Sequence, residues 1–344
     1  MSNKSTSEVT NRSEIVFLYD AEDTNPNGDP LSADNKPRVD EETGKAVVTD
    51  VRLKRFIRDQ LYDDGQGVYI LNPSKADIDP SSRDELFLEL LGIEKEELTD
   101  KNPDELFELF LQEATDVRYF GAPLSFSEDV DDELETADIP QYVGPVQFSV
   151  GRSLNEVVAN RESKKLSVTV TSGGEAEQGT FATDHRLAYA LVRFHGVVNE
   201  NAAEGTNLSP NDVTRLDNTV WRALKNQTLT RSKMGHNPRL YLRVEYEEGN
   251  YHIGGLHEML ELDDEASADS LRSVSDVTVD ATALVDAIET AANRIETLHI
   301  VGDDRLSVTV DGESLSGADF AAHLEAAGHD VHEIDVLEER DLAA

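Results

Sequence analysis

The order of strand-like and helix-like patterns along the chain is the feature that most constrains its fold. Three long β-forming runs, EIVFLY (14–19), HRLAYALVRFHGVV (185–198) and PRLYLRVEY (238–246), are separated by amphipathic helical patterns at 49–62 and 212–227. Shorter strand patterns, GPVQFSVG and KLSVTVTS, lie between the first helix and the second long run. This β-α-β order with interrupting loops predicts an α+β sandwich with a mostly antiparallel sheet.

The regions around these patterns are polar and strongly acidic. Residues 83–112 predict two short amphipathic acidic helices, which we interpret as an insertion. RSLNEVVANRES, between the two shorter strand patterns, is polar enough to predict a mobile loop. The C-terminal part predicts a helix over Ala281–Leu298, a strand at RLSVTV and a final acidic helix.

The net charge says less about partners than its size suggests. The chain carries 70 Asp and Glu against 31 Lys and Arg, a net charge of −39, with the acids scattered rather than massed in blocks. Such a surface is typical of proteins that stay soluble in a high-salt cytoplasm. At molar salt the Debye length is only about 3 Å, so distant anions are barely repelled. Local charge is therefore the better guide to binding.

Several classes of protein are excluded by what the sequence lacks. There is no cysteine, which rules out disulfides and thiolate metal sites. No apolar run approaches the ~18 residues of a membrane span, and the N-terminal residues have no signal-peptide apolar region. We expect a cytoplasmic protein without membrane contacts.

Charge is unevenly distributed along the chain. Residues 36–58 hold seven basic and four acidic residues, and residues 147–243 hold 13 against nine. By contrast, residues 62–140 hold 23 acidic and five basic residues, and from Tyr251 to the end there are 23 acids and four Arg. If the acids mark solvated outer faces, a negative ligand is expected at 36–58 and 147–243.

The segment Trp221–Arg243 is the clearest cationic signal. It contains six Arg or Lys residues and no acid. Arg239 and Arg243 alternate with leucines on a predicted strand, which places both on one face. Salt bridges to the acidic segments would explain these cations without any ligand. Binding of phosphate or nucleic acid would also explain them, and we favour this second explanation.

The helix at 49–62 carries the second cationic patch. Thr49 is a suitable N-cap, and Leu53, Phe56, Ile57 and Leu61 share one face. The four cations are predicted on the opposite, solvated face: Arg52, Lys54, Arg55 and Arg58. Pairing with nearby Asp residues explains this face about as well as ligand binding does.

The loop before that helix has no nucleotide-binding motif. Residues 25–40 are rich in turn formers and lack the G-x-x-x-x-G-K-[ST] pattern. Asp20, Asp23 and Asp29 are candidate Mg²⁺ ligands, although coincidence is the commoner explanation in so acidic a chain. The nine histidines show neither H-x-x-x-H nor H-E-x-x-H spacing, and no G-x-S-x-G elbow is present. No cofactor, metal or catalytic constellation is predicted.

Two long stretches resemble a known family. SEIVFLYDAEDTNPNGDP followed by PRVDEETGKAVVTDVRLKRFIRDQL resembles the N-terminal region of the backbone subunit of type I CRISPR Cascade complexes. GTFATDHRLAYALVRFHGVVNENAA and QTLTRSKMGHNPRLYLRVEY resemble the second characteristic block of that family. The resemblance is closest to the haloarchaeal type I-B subgroup and extends from Ser13 to about Leu260.

The resemblance implies an RRM-like (ferredoxin-like) palm of the RAMP superfamily, with helical and β-hairpin insertions. Such subunits assemble head-to-tail along CRISPR RNA and grip its sugar-phosphate backbone without reading sequence. Their other partners are further Cascade subunits and the target DNA strand that pairs with the guide. Family members of type I systems do not cut nucleic acid, so no enzymatic activity is expected.

The resemblance also implies a division of the chain. Residues 1–13 are expected to be disordered, and 14–61 with 141–260 to form the palm, with a thumb hairpin near 150–180. Residues 62–140 are the acidic, largely helical insertion, and 261–344 an acidic α/β extension packed on the palm. RSLNEVVANRESKK is our candidate for the thumb.

An RNA-binding groove would then lie between two cationic surfaces. One is expected to contain Arg38, Arg52, Lys54, Arg55 and Arg58. The other is expected to contain Gln147, Ser149, Arg152, Arg231, Ser232, Lys233 and Arg239. Arg161, Lys164 and Lys165 are expected near the base of the thumb. The aromatic ribonucleoprotein motifs of RRM domains are absent, which fits gripping of the backbone rather than base stacking.

Three alternative functions stay open at this point. A RAMP-type endoribonuclease that processes CRISPR RNA precursors would need an acid-base residue such as His185, His195 or His236. A metal-dependent nuclease would use the loop acids. A single-strand-binding module of unrelated fold would bind RNA without forming ordered assemblies.

Overall fold

The computed structural model describes most of the chain. The described residues are 8–28, 35–71, 83–100, 102–124, 126, 141–159, 164–168, 180–228, 234–263, 267–268 and 270–337.

Strands and helices follow one another in an order that is close to the predicted one. In the first part of the chain they are β1 (Ser13–Thr24), β2 (Lys45–Val48), α1 (Asp50–Asp63), α2 (Arg83–Leu91), α3 (Pro103–Glu113), α4 (Thr115–Phe120), β3 (Gly121–Pro123), β4 (Gln141–Val143), β5 (Val146–Phe148), β6 (Gly151–Glu156), β7 (Lys164–Val168) and β8 (Thr180–Asp184). They continue as β9 (Leu187–Val198), α5 (Glu200–Ala203), α6 (Pro210–Lys225), β10 (His236–Tyr246), β11 (Glu261–Leu262), β12 (Thr278–Asp280), α7 (Thr282–Thr290), β13 (Ile295–Gly302), β14 (Ser307–Val310), β15 (Glu313–Ser316), α8 (Asp319–Ala326) and β16 (Val331–Glu333).

The main sheet confirms the predicted fold class. Its strands lie in the order β16-β13-β10-β1-β9-β6-β2, and β5 also pairs with β9. Four of them, β10-β1-β9-β6, pair antiparallel, and α1 connects β1 to β6 while α6 connects β9 to β10. This is the strand order 4-1-3-2 of a ferredoxin-like β-α-β-β-α-β unit. The chain therefore has the antiparallel, RRM-like α+β core that its pattern predicted.

Burial on both faces explains why β1 is an almost continuous apolar run. Ile15, Phe17 and Tyr19 pack in one core together with apolar residues of α1 and α6. Val16 and Leu18 pack in a second core, formed with residues of the C-terminal part of the chain. A strand with two covered faces has no solvent face on which to alternate polar residues.

The C-terminal part extends the same sheet. β13 pairs antiparallel with β10, and β16 pairs in parallel with β13. A separate four-stranded sheet, β11-β12-β14-β15, contributes to the second core with Val279, Val308 and Val310. The proposed division into palm, insertion and extension is compatible with these contacts, but its boundaries stay a prediction.

Two local predictions were wrong. The helix expected over Ala281–Leu298 ends at Thr290, and β13 begins at Ile295, because IETLHIV is a β-branched run that pairs with β10. The loop expected at RSLNEVVANRES contains β6, a strand of the main sheet. Its polar inward residues bind backbone groups of strands far away in the sequence: Ser153 Oγ accepts from Ala46 N at 2.8 Å, and Asn155 Oδ1 accepts from Leu191 N at 2.9 Å. Hydrophobic periodicity cannot detect such a strand.

The two acidic helices predicted in 83–112 are present as α2 and α3. They bury Phe87, Phe107 and Phe110 in a third, smaller core. Across the described part of the chain, no helix has the length and apolar character needed to cross a membrane.

Candidate nucleic-acid interface

The loop before α1 is tied to the start of that helix. Thr49 caps the helix by accepting from Arg52 N at 3.3 Å, as predicted. Asn27 Oδ1 in turn accepts from Thr49 N at 3.3 Å and Thr49 Oγ1 at 3.1 Å. The backbone of Arg38 donates to Asn27 O at 3.2 Å. These contacts place Arg38 beside the first turn of α1.

Arg38, Arg52 and Arg55 form a group that we call the cationic triad. The pKa of Arg52 is lowered, first by burial and then by the positive charges of Arg55 and Arg38. The guanidinium of Arg52 lies over the Phe56 ring, 5.8 Å from its centroid. Among the described residues, Arg55 Nη1 is buried and makes no hydrogen bond. The positive charges of Arg55 and Arg38 repel that of Arg52, Tyr19 and Asp59 oppose this effect, and a bound anion would add to that opposition.

Lys54 and Arg58 face a different surface of α1. Lys54 Nζ donates to Gln147 Oε1 at 2.8 Å, and Arg58 Nε donates to Asp116 Oδ2 at 2.8 Å. Both cations lie over the Phe120 ring, at 5.5 and 5.0 Å from its centroid. Burial lowers the pKa of Lys54.

The prediction that all four cations of α1 share one solvated face was therefore wrong. Lys54 and Arg58 are each only 9% exposed. Asp116 and Phe120 belong to α4, which packs against α1 at this side. Helical periodicity within 49–62 contains no information about a helix more than 50 residues further along the chain.

Three of the predicted residues lie near the β5–β6 edge. Gln147 is exposed and holds Lys54, as described above. Ser149 is also exposed, and its backbone donates to His195 O at 2.8 Å. The side chain of Arg152 is 51% exposed and pairs with Asp40 at 2.8 Å. These residues are accessible but are not part of the cationic triad.

The structure contradicts the exposed position predicted for Arg239. Its side chain is 1% exposed, and its Nη2 lies 2.6 Å from Asp20 Oδ2 and its Nη1 3.2 Å from Asp303 Oδ2. The register of β1 against β10 shifts between Leu18 and Tyr19, and this bulge breaks the simple alternation along β10. Arg239 consequently points to Asp20, whereas Arg243 points to Asp217 on α6.

The acid-free segment 221–243 therefore supplies counter-ions for acids elsewhere in the chain. Arg222 pairs with Asp64 at 2.6 Å and Arg243 with Asp217 at 2.8 Å, in addition to the contacts of Arg239. For these three residues, salt bridges within the chain, and not ligand binding, explain the positive charges. Arg231, Ser232 and Lys233 lie outside the described residues, so their predicted role stays untested.

Comparison with known proteins identifies the family. The sequence profile of CRISPR-associated protein Cas7 matches residues 11–282. A protein of Haloferax volcanii named CRISPR-associated protein Cas7 is 51% identical over 343 residues, which covers 97% of this chain and 99% of that protein. The chain belongs to the Cas7 family. The resemblance seen in the sequence is thereby confirmed.

Two solved structures align with this Cas7 family member over most of its length. One, titled CRISPR RNA-guided surveillance complex, pre-nicking, shows 13% identity and a TM-score of 0.47 over 96% of this chain and 99% of the matched chain. The other, titled CRISPR RNA-guided surveillance complex, shows 12% identity and a TM-score of 0.48 over 96% and 98%. The family assignment does not depend on them.

The thumb candidate of this Cas7 chain is only partly described. Arg161 lies outside the described residues. Lys164 and Lys165 lie in β7, and their backbones are opposite Asp184 and Thr183 in the antiparallel pairing of β7 with β8. The beginning of the predicted thumb, from Arg152, is instead part of β6 in the main sheet. The predicted hairpin near 150–180 remains a prediction.

The loop acids of this Cas7 chain do not form a metal site in the described residues. Asp20 is fully buried, burial raises its pKa, and it is held by Arg239 and Asn237. Asp23 lies 3.4 Å from Arg186, and Asp29 is outside the described residues. Within the described ranges, no group of three His, Asp or Glu side chains is arranged to hold a metal ion.

Two of the histidines considered for RNA cleavage, His195 and His236, lie in different surroundings. His195 Nε2 lies 2.9 Å from Glu14, and its ring stacks on His257 at 4.6 Å. His236 is buried between Tyr19 and Phe56, with ring centroids 5.5 and 6.0 Å away. One histidine thus faces the 256–259 turn and the other faces α1. They are not placed to act as an acid-base pair.

Proposed function

We propose that this chain is a backbone subunit of a CRISPR surveillance complex and that it holds CRISPR RNA by the sugar-phosphate backbone. Further copies of the chain would bind along the same RNA, beside other subunits, and the target DNA strand would pair with the exposed guide bases. Membership of the Cas7 family supports this role. The type I-B subtype rests on the resemblance alone, and a cytoplasmic location rests on the absence of cysteine, of a membrane-span pattern and of a signal-peptide pattern in the sequence.

The cationic triad is the observation that supports an RNA site on this chain. Arg38 and Arg55 each place a positive charge near Arg52, and Asn27, whose carbonyl accepts from the Arg38 backbone, is hydrogen-bonded to Thr49 at the start of α1. Arginine binds phosphate oxygens through a planar fork of donors. Phosphate contacts fix the position of a strand without reading its sequence, which suits a subunit that must accept any guide.

The double substitution Arg52→Ala, Arg55→Ala tests this role. We expect it to weaken binding of a single-stranded repeat–spacer RNA at least ~10-fold, since two phosphate contacts are lost. Fluorescence anisotropy at a fixed salt concentration measures the affinity. Two RNAs of unrelated spacer sequence should bind the wild-type protein equally well.

The matched control is Arg272→Ala, Arg305→Ala. It makes the same change in net charge at two exposed arginines of the C-terminal part. Its affinity should equal that of the wild type, and circular dichroism should show that both variants are folded. RNA binding that is unchanged in the triad variant would refute this site.

The same mixtures test the alternative of an endoribonuclease. We expect the RNA to keep its length on a denaturing gel, with or without Mg²⁺, because His195 and His236 lie apart and the described residues contain no group of acids and histidines arranged to hold a metal ion. Defined cleavage products that disappear in His195→Ala or His236→Ala would favour the alternative.

A further inference from the structure

A buried tyrosine hydroxyl on β1 has no hydrogen-bond partner. Tyr19 is 1% exposed and packs in the core that also contains Phe56 of α1. Among the described residues, no group donates to its hydroxyl or accepts from it. By contrast, the hydroxyl of the equally buried Tyr241 donates to Asp217 Oδ1 at 2.6 Å. The hydroxyl of Tyr19 therefore adds nothing to the hydrogen bonds of the core.

Ring contacts and charge both place Tyr19 close to Arg52. The His236 ring lies between Tyr19 and Phe56, with centroids 5.5 and 6.0 Å away. The Arg52 guanidinium lies over the same Phe56 ring. Burial raises the pKa of Tyr19, and the charge of Arg52 opposes this rise. Burial lowers the pKa of Arg52, and Tyr19 is first among the groups that oppose this decrease. The hydroxyl is thus a near neighbour of one member of the cationic triad.

Folding alone would favour phenylalanine at position 19. A buried hydroxyl without a partner loses its hydrogen bonds to water and gains none in return. Phenylalanine has the same ring without this cost. It would also keep the ring contacts of Tyr19 with Phe194 and His236. A role outside folding is therefore expected for the hydroxyl.

We infer that Tyr19 is a positioning residue for Arg52. When Arg52 binds a phosphate of the RNA strand, the Tyr19 oxygen accepts from one N–H of the guanidinium, and the other N–H groups are directed to the phosphate. This inference rests on the proposed function and adds to that site a residue that acts through Arg52 rather than on the RNA.

A neutral partner suits a phosphate-binding arginine better than a carboxylate does. The buried Arg239, for comparison, is held by Asp20. A carboxylate orients a guanidinium but also opposes its charge, which weakens the attraction for a phosphate. Tyr19 stays protonated because burial raises its pKa. Its hydroxyl can therefore orient Arg52 and leave the positive charge available.

A double-mutant cycle tests this role. The affinity for a single-stranded repeat–spacer RNA is measured by fluorescence anisotropy at a fixed salt concentration for the wild type, Tyr19→Phe, Arg52→Ala and the double variant. We expect Tyr19→Phe to weaken binding about 10-fold, the lower end of the range for a hydrogen bond to a charged group. In the Arg52→Ala background the same substitution should have no further effect, because the group that Tyr19 positions is absent.

Tyr69→Phe is the matched control. Tyr69 is 2% exposed and packs in the third core, and its hydroxyl also lacks a hydrogen-bond partner among the described residues. This substitution should leave the RNA affinity unchanged. Neither tyrosine substitution should decrease the free energy of unfolding in urea without RNA, because each removes a buried hydroxyl that has no partner.

The outcomes separate this inference from the proposed function. Equal RNA affinity of Tyr19→Phe and the wild type would overturn the inference, as would an equal loss in Tyr69→Phe. An undiminished effect of Tyr19→Phe in the Arg52→Ala background, or a decrease in its free energy of unfolding, would also overturn it. If Arg52→Ala weakens binding, the proposed RNA site stands in each of these cases. A wild-type protein that binds no RNA would reject the proposed function itself.

Discussion

At the scale of residues, several cations of this acidic chain are partners of buried carboxylates. Arg239 with Asp20, Arg243 with Asp217 and Arg58 with Asp116 are all ion pairs in which at least one side chain is fully or almost fully buried. Once such a pair has been removed from water, the loss of one partner leaves an isolated buried charge. Density of Arg and Lys in the sequence is therefore a poor measure of ligand binding here.

Replacement of Arg239 by Ala should destabilise the protein strongly. Asp20 would keep a carboxylate in the core without its guanidinium, a change that typically costs about 3–5 kcal/mol in the free energy of unfolding. Arg152→Ala, which removes a pair whose arginine is 51% exposed, should cost no more than about 1 kcal/mol. Urea unfolding at constant high salt measures both. A similar decrease in the free energy of unfolding for the two variants would mean that the buried pair contributes no more to stability than the exposed pair.

The stacked histidines should make stability depend on pH. Burial, together with the nearby charges of His195 and Arg193, lowers the pKa of His257 to about 4, below the ~6.5 of an unfolded histidine. As the pH falls below ~6.5 the unfolded chain binds a proton that the folded chain does not, so stability decreases between pH ~6.5 and ~4. Glu14 and Glu258 also face this ring and oppose the effect.

Substitution of His257 by Gln isolates this contribution. Unfolding free energies at pH ~7 and pH ~5 should differ less in the variant than in the wild type, because the titrating group is absent. An unchanged pH dependence would assign the acid sensitivity to other groups. Among those with a clear shift, Glu245 has a pKa of about 2, lowered by its contacts with His299 and Arg243 against the opposing effect of burial, and matters only at more acidic pH.

At the scale of elements, the clearest patterns in the sequence predicted the correct structure and the polar ones did not. EIVFLY and PRLYLRVEY are strands, and 49–62 and 212–227 are helices, since their apolar residues follow the period of the element. β6 was missed because its inward residues are Ser153 and Asn155, whose partners lie on distant strands. The side of the sheet on which Arg239 lies was predicted wrongly, because it depends on a β-bulge. That bulge arises from the pairing of β1 with β10 and is not visible in either strand alone.

Asn155 is expected to stabilise the pairing between β6 and β9. Its Nδ2 donates to Tyr189 O at 3.2 Å and its Oδ1 accepts from Leu191 N at 2.9 Å. In Asn155→Ala both backbone groups lose their partner in a buried position, at a cost of about 1–3 kcal/mol for each unsatisfied group. Hydrogen exchange should speed up at the Leu191 amide. The amide of Leu242, in β10 on the other side of β1, serves as the internal control and should change less.

At the scale of the whole molecule, the ferredoxin-like unit was predictable and the use of its surface only partly so. The order of strand and helix patterns was enough to predict the fold, and the long motifs near the N-terminus and before β10 were enough to predict the family. The cations that the sequence assigned to one RNA-binding groove do not share one surface in the structure. Arg55 and Arg38 lie near Arg52. Lys54 and Arg58 pack against α4, and Arg239 is buried. Which cations remain available depends on contacts between segments far apart in the chain, and these contacts have no signal in local sequence.

The central position of β1 also has a consequence for the synthesis of the protein. β1 ends at Thr24, whereas its two neighbours in the sheet, β9 and β10, end at Val198 and Tyr246. At translation rates of about 5–20 residues per second, roughly 10 to 35 seconds pass between the emergence of β1 and the completion of β9. Throughout that interval EIVFLY has neither its strand partners nor the second core. We therefore expect this segment to be prone to aggregation in the nascent chain until β9 and β10 have been made.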